Sequence, residues 1–86
     1  MHTSTDMLGN ILKVGDEIIF HTKRFGSHFD IASIVKIEKD VEQLTTQGML
    51  KCDEIYFKQK RSTGIFYTIS KPNVDVVKII REKEII

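Results

Sequence analysis

Short runs in which apolar and polar residues alternate dominate this chain, and they predict β-strands. Side chains alternate between the two faces of a strand, so residues 17–21 place Ile18 and Phe20 on one face and Ile19 on the other. Several further runs are β-branched or aromatic and are bounded by turn residues. The runs predicted as strands are residues 17–21, 31–38, 41–45, 54–59, 65–70 and 74–80.

The segments between these runs predict how the strands connect. Lys39-Asp40 has the length of a two-residue hairpin turn between residues 31–38 and 41–45, and residues 60–64 predict the turn of a second hairpin. Residues 22–30 have neither a helical nor a strict two-residue period and predict a long loop. Residues 79–86 have a helical alternative, although isolated helices this short are marginal.

The predicted fold class is all-β. A chain of 86 residues has room for one core, and five or six short antiparallel strands form a small barrel or sandwich, of which the barrel leaves fewer exposed edges. We expect a flexible N-terminal lead over residues 1–6, a single domain over residues 7–81 and a C-terminal tail over residues 82–86.

The composition is that of an ordinary folded domain, with 41% hydrophobic and 29% charged residues. The formal net charge of +1 provides no overall attraction to nucleic acid, so such binding would need a local basic patch. The lone Cys52 cannot form an intramolecular disulfide, and no leader peptide or membrane span is apparent. These features predict a protein of the reducing cytoplasm that does not enter a membrane.

Residues suited to metal or catalytic chemistry are few. His2, His21, His28 and Cys52 lack the spacing of a structural zinc site, and nothing in the sequence places a base beside the thiol. The glycines occur singly, so no glycine-rich phosphate loop is present. We therefore expect a binding protein and not an enzyme, with no metal and no cofactor.

The strongest functional pattern is a basic and aromatic hairpin. Nucleic-acid modules stack bases on aromatic rings and hold phosphates with Lys and Arg. Alternation places Tyr56 and Lys58 on one face and Phe57 on the other, and it separates Phe66 from Tyr67. The alternative is a merely solvated basic tip. The nucleic-acid hypothesis assigns phosphate contacts and stacking to Lys23, Arg24, Tyr56, Lys58, Lys60, Arg61 and Tyr67.

Protein binding is the competing hypothesis. Phe25 and Phe29, with His28 beside them, lie in the predicted loop, where exposed aromatic rings either meet a partner or fold back to plug the open end of the barrel. An open strand edge could also pair with a second copy or with a strand of another protein.

Residues 12–16 (Leu-Lys-Val-Gly-Asp), residues 31–38 and the following Val41 resemble the opening of SH3-like barrels of the KOW type. In those domains a Val-Gly-Asp turn leads into the first strand, and a second strand follows a variable loop. In this chain Ala32 or Ser33 stands where the KOW motif has glycine. The resemblance covers residues 12 to about 45 and implies an SH3-like barrel.

The chain is also similar to small uncharacterised proteins of tailed bacteriophages. The matching residues are Asp6, Gly9, residues 12–16 and residues 76–79. This resemblance implies a phage accessory protein in the host bacterial cytoplasm that takes part in host takeover. Its partner would be nucleic acid or, alternatively, a host polymerase, nuclease or defence factor whose activity it inhibits or modulates.

Overall fold

The structure, a computed structural model, describes residues 2–22, 28–60 and 64–80, with Lys60 described by its backbone alone. The all-β prediction is confirmed. In chain order the elements are β1 (Ser4–Thr5), β2 (Ile11–Leu12), β3 (Glu17–Thr22), β4 (His28–Thr45), β5 (Gly48–Lys60), β6 (Phe66–Pro72), a 3-10 turn (Asn73–Asp75) and β7 (Val76–Lys78). None of the helical segments in these ranges is long and apolar enough to cross a membrane.

Five strands form one antiparallel sheet in the order β6-β5-β4-β3-β7, and β1 pairs with β2 in a separate two-stranded sheet. The outer strands β6 and β7 are joined only by the 3-10 turn. The chain from Pro72 to Val76 can span at most about 14 Å, whereas the outer strands of a flat five-stranded sheet lie about 19 Å apart. The sheet is therefore curved, although no pairing joins β6 to β7 among the described residues.

Two irregularities bend the longest strand, β4. The pairing with β5 shifts between Ile34 and Lys36 and again between Glu38 and Val41. At the second shift Lys39 and Asp40 lie opposite the single residue Asp53, and Asp40 has a φ of 55°. The prediction of a hairpin turn at Lys39-Asp40 is wrong, because this dipeptide is a bulge inside one strand.

The Asp53 carboxylate explains why the chain continues through this bulge. It accepts hydrogen bonds from Lys39 Nζ at 2.8 Å and from the Asp40 backbone N–H at 3.2 Å. Burial alone would raise the pKa of Asp53, but hydrogen bonds from Lys39, Ser4 and Asp40 lower it below its usual value. The side chain thus takes the place of the ladder contact that the bulge interrupts.

Several predicted element boundaries also need correction. The predicted loop over residues 22–30 is shorter, because Thr22 belongs to β3 and β4 already begins at His28. Residues 4–6 lie inside the fold rather than in a lead before residue 7, because Ser4 and Thr5 form β1 and both Ser4 and Asp6 are buried. The predicted last strand, residues 74–80, is a 3-10 turn followed by three strand residues. Residues 81–86, with the predicted tail and most of the helical alternative, lie outside the described residues.

The core lies on the inward, concave side of the curved sheet. At its centre the rings of Phe20 and Phe57 pack with centroids 4.3 Å apart. Replacing such a buried ring by alanine costs about 3–5 kcal/mol. The buried hydrophobic residues are Leu12, Ile18, Phe20, Ala32, Ile34, Ile37, Ile55, Phe57 and Val76.

The Val-Gly-Asp turn ties the start of β3 to the middle of β4. Gly15 has a φ of 97°, which glycine adopts without strain, and its N–H donates to the Ile34 carbonyl at 2.9 Å. Asp16 closes the turn by accepting from the Lys13 N–H at 3.0 Å. This motif therefore has a structural role in entering the sheet.

Candidate functional site

The predicted basic and aromatic hairpin is formed by β5 and β6, but its two tyrosines lie on opposite faces of the sheet. Phe57 is buried on the inward face, so its neighbours Tyr56 and Lys58 lie on the outward face. Tyr67 pairs with Gln59, which shares the inward face with Phe57. The structure confirms the predicted alternation, and it does not bring Tyr56 and Tyr67 together.

Tyr56 is engaged by neighbours from both sides. Its hydroxyl lies 2.8 Å from a Glu54 carboxylate oxygen and 3.0 Å from one of Glu38, and Lys36 Nζ lies 5.2 Å from the ring centroid. These hydrogen bonds to Glu54 and Glu38 raise the pKa of the Tyr56 hydroxyl. Two carboxylates beside the hydroxyl and an ammonium group over the ring make this a poor platform for a stacked base and its phosphate.

Tyr67 belongs to a chain of polar contacts at one end of the inward face. Its hydroxyl donates to Gln59 Oε1 at 3.0 Å, and the Gln59 amide donates to Asp30 at 2.6 Å. The His28 Nε2 atom lies 3.3 Å from the same Asp30 carboxylate oxygen. Two predicted site residues from different hypotheses, Tyr67 and His28, are thus linked through Gln59 and Asp30.

The remaining predicted nucleic-acid residues are only partly described. Lys58 is exposed on the outward face. Lys23, Arg24 and Arg61 lie outside the described residues, as do the Lys60 side chain and the predicted protein-binding residue Phe25. The assignment of these residues to a nucleic-acid site therefore stays a prediction.

A contiguous apolar surface lies on the outward side of β3, β4 and β7. Ile19 pairs directly with Ile31 on one side and with Val77 on the other, and Phe29 lies two residues from Ile31 on the same face. Phe29 is 68% exposed and Ile31 54% exposed. We call Ile19, Phe29, Ile31 and Val77 the apolar face.

The ring of Phe29 has a defined orientation on this face. It packs edge-on against the His21 ring, with centroids 5.5 Å apart and an angle of 64° between the planes. The alternative that Phe29 plugs the end of a barrel is wrong, because this ring points away from the core. Sequence reasoning had placed Phe29 in a loop, so it missed the alignment with Ile31, Ile19 and Val77.

A second feature that sequence reasoning missed is the loop organised by Asp6. The buried Asp6 carboxylate accepts hydrogen bonds from the N–H groups of Leu8 and Asn10, from the Asn10 amide and from the Lys78 N–H. The Lys78 contact is 2.7 Å long, and the neighbouring Met7 N–H donates to the Val76 carbonyl at 3.1 Å. The loop therefore fastens the N-terminal segment to the outer side of β7.

The electrostatics of Asp6 match this role. Burial by itself would raise the pKa of Asp6, but the hydrogen bonds from Lys78, Asn10 and Leu8 outweigh it and lower the pKa below its usual value. The sequence contained a signal for this loop in the Asp6-x-x-Gly9 spacing, where Gly9 has a φ of 85°. Its function in the fold was not apparent without β7.

Histidine, cysteine and acidic side chains are the groups that could hold a metal ion. Across the described ranges no three His, Cys, Asp or Glu side chains lie together as a metal site would require. Cys52 is half-buried, and burial together with the nearby carboxylate of Asp53 raises the pKa of its thiol. A raised pKa makes the thiolate scarce at neutral pH, so this thiol is not activated as a nucleophile.

Comparison with known proteins shows a similarity in the N-terminal part of the chain. A family model described as a domain of unknown function, DUF7205, matches residues 4–42, under half of the chain. The matched part contains the Asp6 loop, β3 and the Phe29 and Ile31 positions of the apolar face, and it ends before β5 and β6. No curated protein and no solved structure matches this chain.

Proposed function

We propose that this chain is a non-enzymatic protein-binding module and that the apolar face is its docking surface. The observation that carries the proposal is the exposure of Phe29 and Ile31 on β4, the central strand of the sheet. Burying either side chain completely would contribute about 1.5–3 kcal/mol. Because both side chains stay exposed in the chain alone, burying them against a partner would contribute this free energy to binding.

The arrangement of the face supports this use. Single exposed hydrophobic residues are common on protein surfaces, whereas adjacent ones spread over three strands mark an interaction site. Polar residues border the face on the same outward side, among them Glu17 and Ser33 on β3 and β4. An apolar centre with a polar rim is the usual composition of a protein interface.

The curved sheet supports assignment to the SH3-like barrels. Strands β3 to β6 follow one another as an antiparallel meander, and β7 returns to the open side of β3. The 3-10 turn between β6 and β7 brings the outer strands of the sheet together at one corner. We propose a partly open SH3-like barrel, in agreement with the resemblance of residues 12–16 to the KOW type.

The partner we propose is a host protein of the bacterial cytoplasm. The similarity to small phage proteins supports this setting, in which a polymerase, a nuclease or a defence factor would be inhibited or modulated by stoichiometric binding. The chemistry required of the partner is an apolar patch that can cover Phe29 and Ile31. The net charge of +1 gives the module no long-range preference for a polyanion.

Nucleic-acid binding is the second candidate, and one observation favours it. Lys36 and Lys58 are both exposed on the outward side of the neighbouring strands β4 and β5. They place two cationic side chains on this side of the sheet. The carboxylates of Glu38 and Glu54 on the same side oppose this use.

The experiment is a capture and binding series with matched variants. Phe29→Thr combined with Ile31→Thr removes the apolar face while keeping residues that favour strands. The control combines Leu44→Thr with Met49→Thr, because these two residues are 75% and 65% exposed and pair with each other at the far end of the β4–β5 hairpin. Each immobilised protein is exposed to nuclease-treated bacterial lysate, and any captured protein is then purified and titrated directly.

The expected result is that the native chain and the control bind the same purified protein, whereas the Phe29/Ile31 variant binds it at least about 30-fold more weakly. Raising the salt concentration from about 0.15 M to 0.5 M should change this affinity little, because the contact is apolar. Equal binding by all three proteins would contradict the proposal. Steeply salt-dependent binding to labelled DNA or RNA, lost in Lys58→Glu, would favour the second candidate instead.

A further inference from the structure

Two lysines border the apolar face on its β5 side. Lys58 pairs directly with Ser33, which lies two residues from Ile31 on the same side of β4. Ile31 and Lys58 are therefore diagonal neighbours, which lie about 7–8 Å apart across two strands. Lys36 follows on β4, where it pairs with Tyr56. Both lysines are exposed, so their long side chains can bring an ammonium group to a partner that covers the apolar face.

The charged groups on this side of the sheet differ in whether the fold already uses them. The Tyr56 hydroxyl lies at hydrogen-bonding distance from the carboxylates of both Glu38 and Glu54. Lys36 lies over the Tyr56 ring. Among the described residues, however, no carboxylate forms an ion pair with Lys58 or with Lys36. The carboxylates are thus engaged within the sheet, whereas the two ammonium groups next to the apolar face have no anionic partner there.

From this asymmetry we propose that the apolar face binds an acidic protein, whose apolar patch carries Asp or Glu residues on the side that meets Lys58 and Lys36. The inference rests on the proposed protein-binding function and names the chemistry of the partner for the same surface. An ammonium group and a carboxylate at the rim of an interface attract each other and fix the orientation of the two proteins. Glu17 lies at the opposite, β3 border, so the two borders differ in charge and the acidic side of the partner faces β5.

An acidic protein fits this border better than a nucleic acid does. A nucleic acid presents phosphates at short intervals along its whole length and is held by many cations. Lys36 and its partner Tyr56 are followed on the same two strands by the pair of Glu38 and Glu54. A line of phosphates over the lysines would meet these carboxylates. Isolated acidic side chains beside an apolar patch would reach the lysines without this repulsion.

The test uses a library of short random peptides, so it does not require the natural partner. Peptides are selected on the immobilised native chain, and those that also bind the variant with Phe29→Thr and Ile31→Thr are discarded. The remaining peptides depend on the apolar face. We expect them to combine apolar residues with Asp or Glu, because both parts of the surface then contribute to binding. Individual peptides are synthesised and titrated against each protein in solution.

Reversing the charge of Lys58 measures its contribution. Lys58→Glu should bind the selected acidic peptides at least about fivefold more weakly than the native chain, because an attraction becomes a repulsion. Lys58→Gln should have a smaller effect, because it removes the charge without reversing it. The control is Lys51→Glu, which changes the net charge equally at an exposed position of the same strand, paired with Glu42 on β4. This control should bind the peptides as the native chain does.

An exchange of charges between the two molecules separates a direct contact from an effect on folding. Replacing the acidic residue of a selected peptide by lysine should weaken its binding to the native chain and strengthen its binding to Lys58→Glu. A merely structural role of Lys58 would not produce this reversal. Peptides that depend on the apolar face but show no acidic preference would overturn the inference. Equal binding by Lys58→Glu and Lys51→Glu would overturn it as well, and either result would leave the apolar face as a docking surface.

Two further outcomes contradict the acidic partner in different ways. If no selected peptide depends on Phe29 and Ile31, the proposed protein-binding function fails and this inference fails with it. Labelled single-stranded DNA is titrated against the same proteins. DNA binding that is equal in the native chain and in the Phe29/Ile31 variant but is lost in Lys58→Glu would assign the lysines to nucleic acid, and it would overturn the inference.

Discussion

The two outer strands of the sheet, β7 and β6, differ in what protects their outer sides. On the outer side of β7, which we call the β7 edge, a buried carboxylate and a backbone amide from the N-terminal loop occupy the groups that a further strand would use. β7 has three residues, whereas β6 has seven and carries Lys71 and Pro72 at the end that leads into the 3-10 turn. The comparison shows that a short strand can be protected by contacts from another segment, whereas a longer strand can carry a charge and a proline that discourage further pairing.

The protection of the β7 edge depends on one ionised group. The Asp6 carboxylate accepts hydrogen bonds from Leu8 and Asn10 in its own loop, and it also accepts one from the Lys78 N–H. A carboxylate accepts several hydrogen bonds at once and binds them more strongly than a neutral acceptor does. Substitutions at this loop should therefore affect stability more than substitutions at exposed positions of β6.

The largest effect is expected for Asp6→Ala. This change removes the acceptor for the Lys78 N–H and for the loop, and it should lower the free energy of unfolding by about 2–3 kcal/mol. Urea denaturation measures this change. Glu42→Ala, at an exposed position on β4, is the control and should stay within about 0.5 kcal/mol of the native chain. Equal stability of Asp6→Ala and the control would show that the hydrogen bonds of Asp6 do not stabilise the β7 edge.

Acid should reduce the advantage of Asp6. Its pKa in the folded chain lies below its ordinary value, so its stabilisation is fully present above the ordinary pKa and is lost as the pH falls through the folded pKa. The difference in urea midpoint between the native chain and Asp6→Asn should therefore be large at neutral pH and should shrink at increasingly acid pH. Asp53 is present in both proteins, and its protonation affects their stability equally, so it does not contribute to the difference in urea midpoint. A difference that is constant with pH would contradict this role.

A smaller effect is expected at Gly9, in the loop that Asp6 organises. Its φ of 85° is strained for a side chain even though nothing lies within 4 Å of an added Cβ. Gly9→Ala should therefore cost about 1 kcal/mol in unfolding free energy. Gly9→Asn should cost less, because asparagine tolerates this conformation better. Hydrogen exchange at the Lys78 amide should become faster in the order native, Asn, Ala, and any other order would argue against strain as the cause.

The smallest effect on stability is expected at Thr68, on the outer strand β6. Thr68→Lys should change the unfolding free energy by less than about 0.5 kcal/mol, because Thr68 is exposed. Thermal denaturation checks this. A loss as large as that of Asp6→Ala would mean that Thr68 contributes to the packing of the fold.

Much of the fold followed from alternation along single strands. The shared face of Ile18 and Phe20 and the separation of Phe66 from Tyr67 were predicted correctly, because the period of a strand is local. The turn at Lys39-Asp40 was not, because its dipeptide resembles a hairpin turn. The residue that holds this dipeptide as a bulge is Asp53, which lies in the next strand.

The candidate site was less predictable than the fold. Tyr56 has the residue type of a stacking platform, but contacts from β4 and β5 engage its ring and hydroxyl. Phe29 was expected in a loop, because residues 22–30 show no regular period. Its role in the apolar face depends on register with His21 and on the alignment of Ile31 with Ile19, which are contacts between strands.

The sequence by itself determined the all-β class, the shared face of Ile18 and Phe20 and the glycine turn at residues 13–16, since these depend on side-chain alternation and on local backbone freedom. The tertiary structure alone decided which exposed residues lie together and which sheet edge is covered. Those properties depend on register and curvature, through which Asp6 reaches Lys78 and Ile19 reaches Val77 across many residues of chain. Such contacts follow from the packing of whole strands and have no local pattern in the sequence.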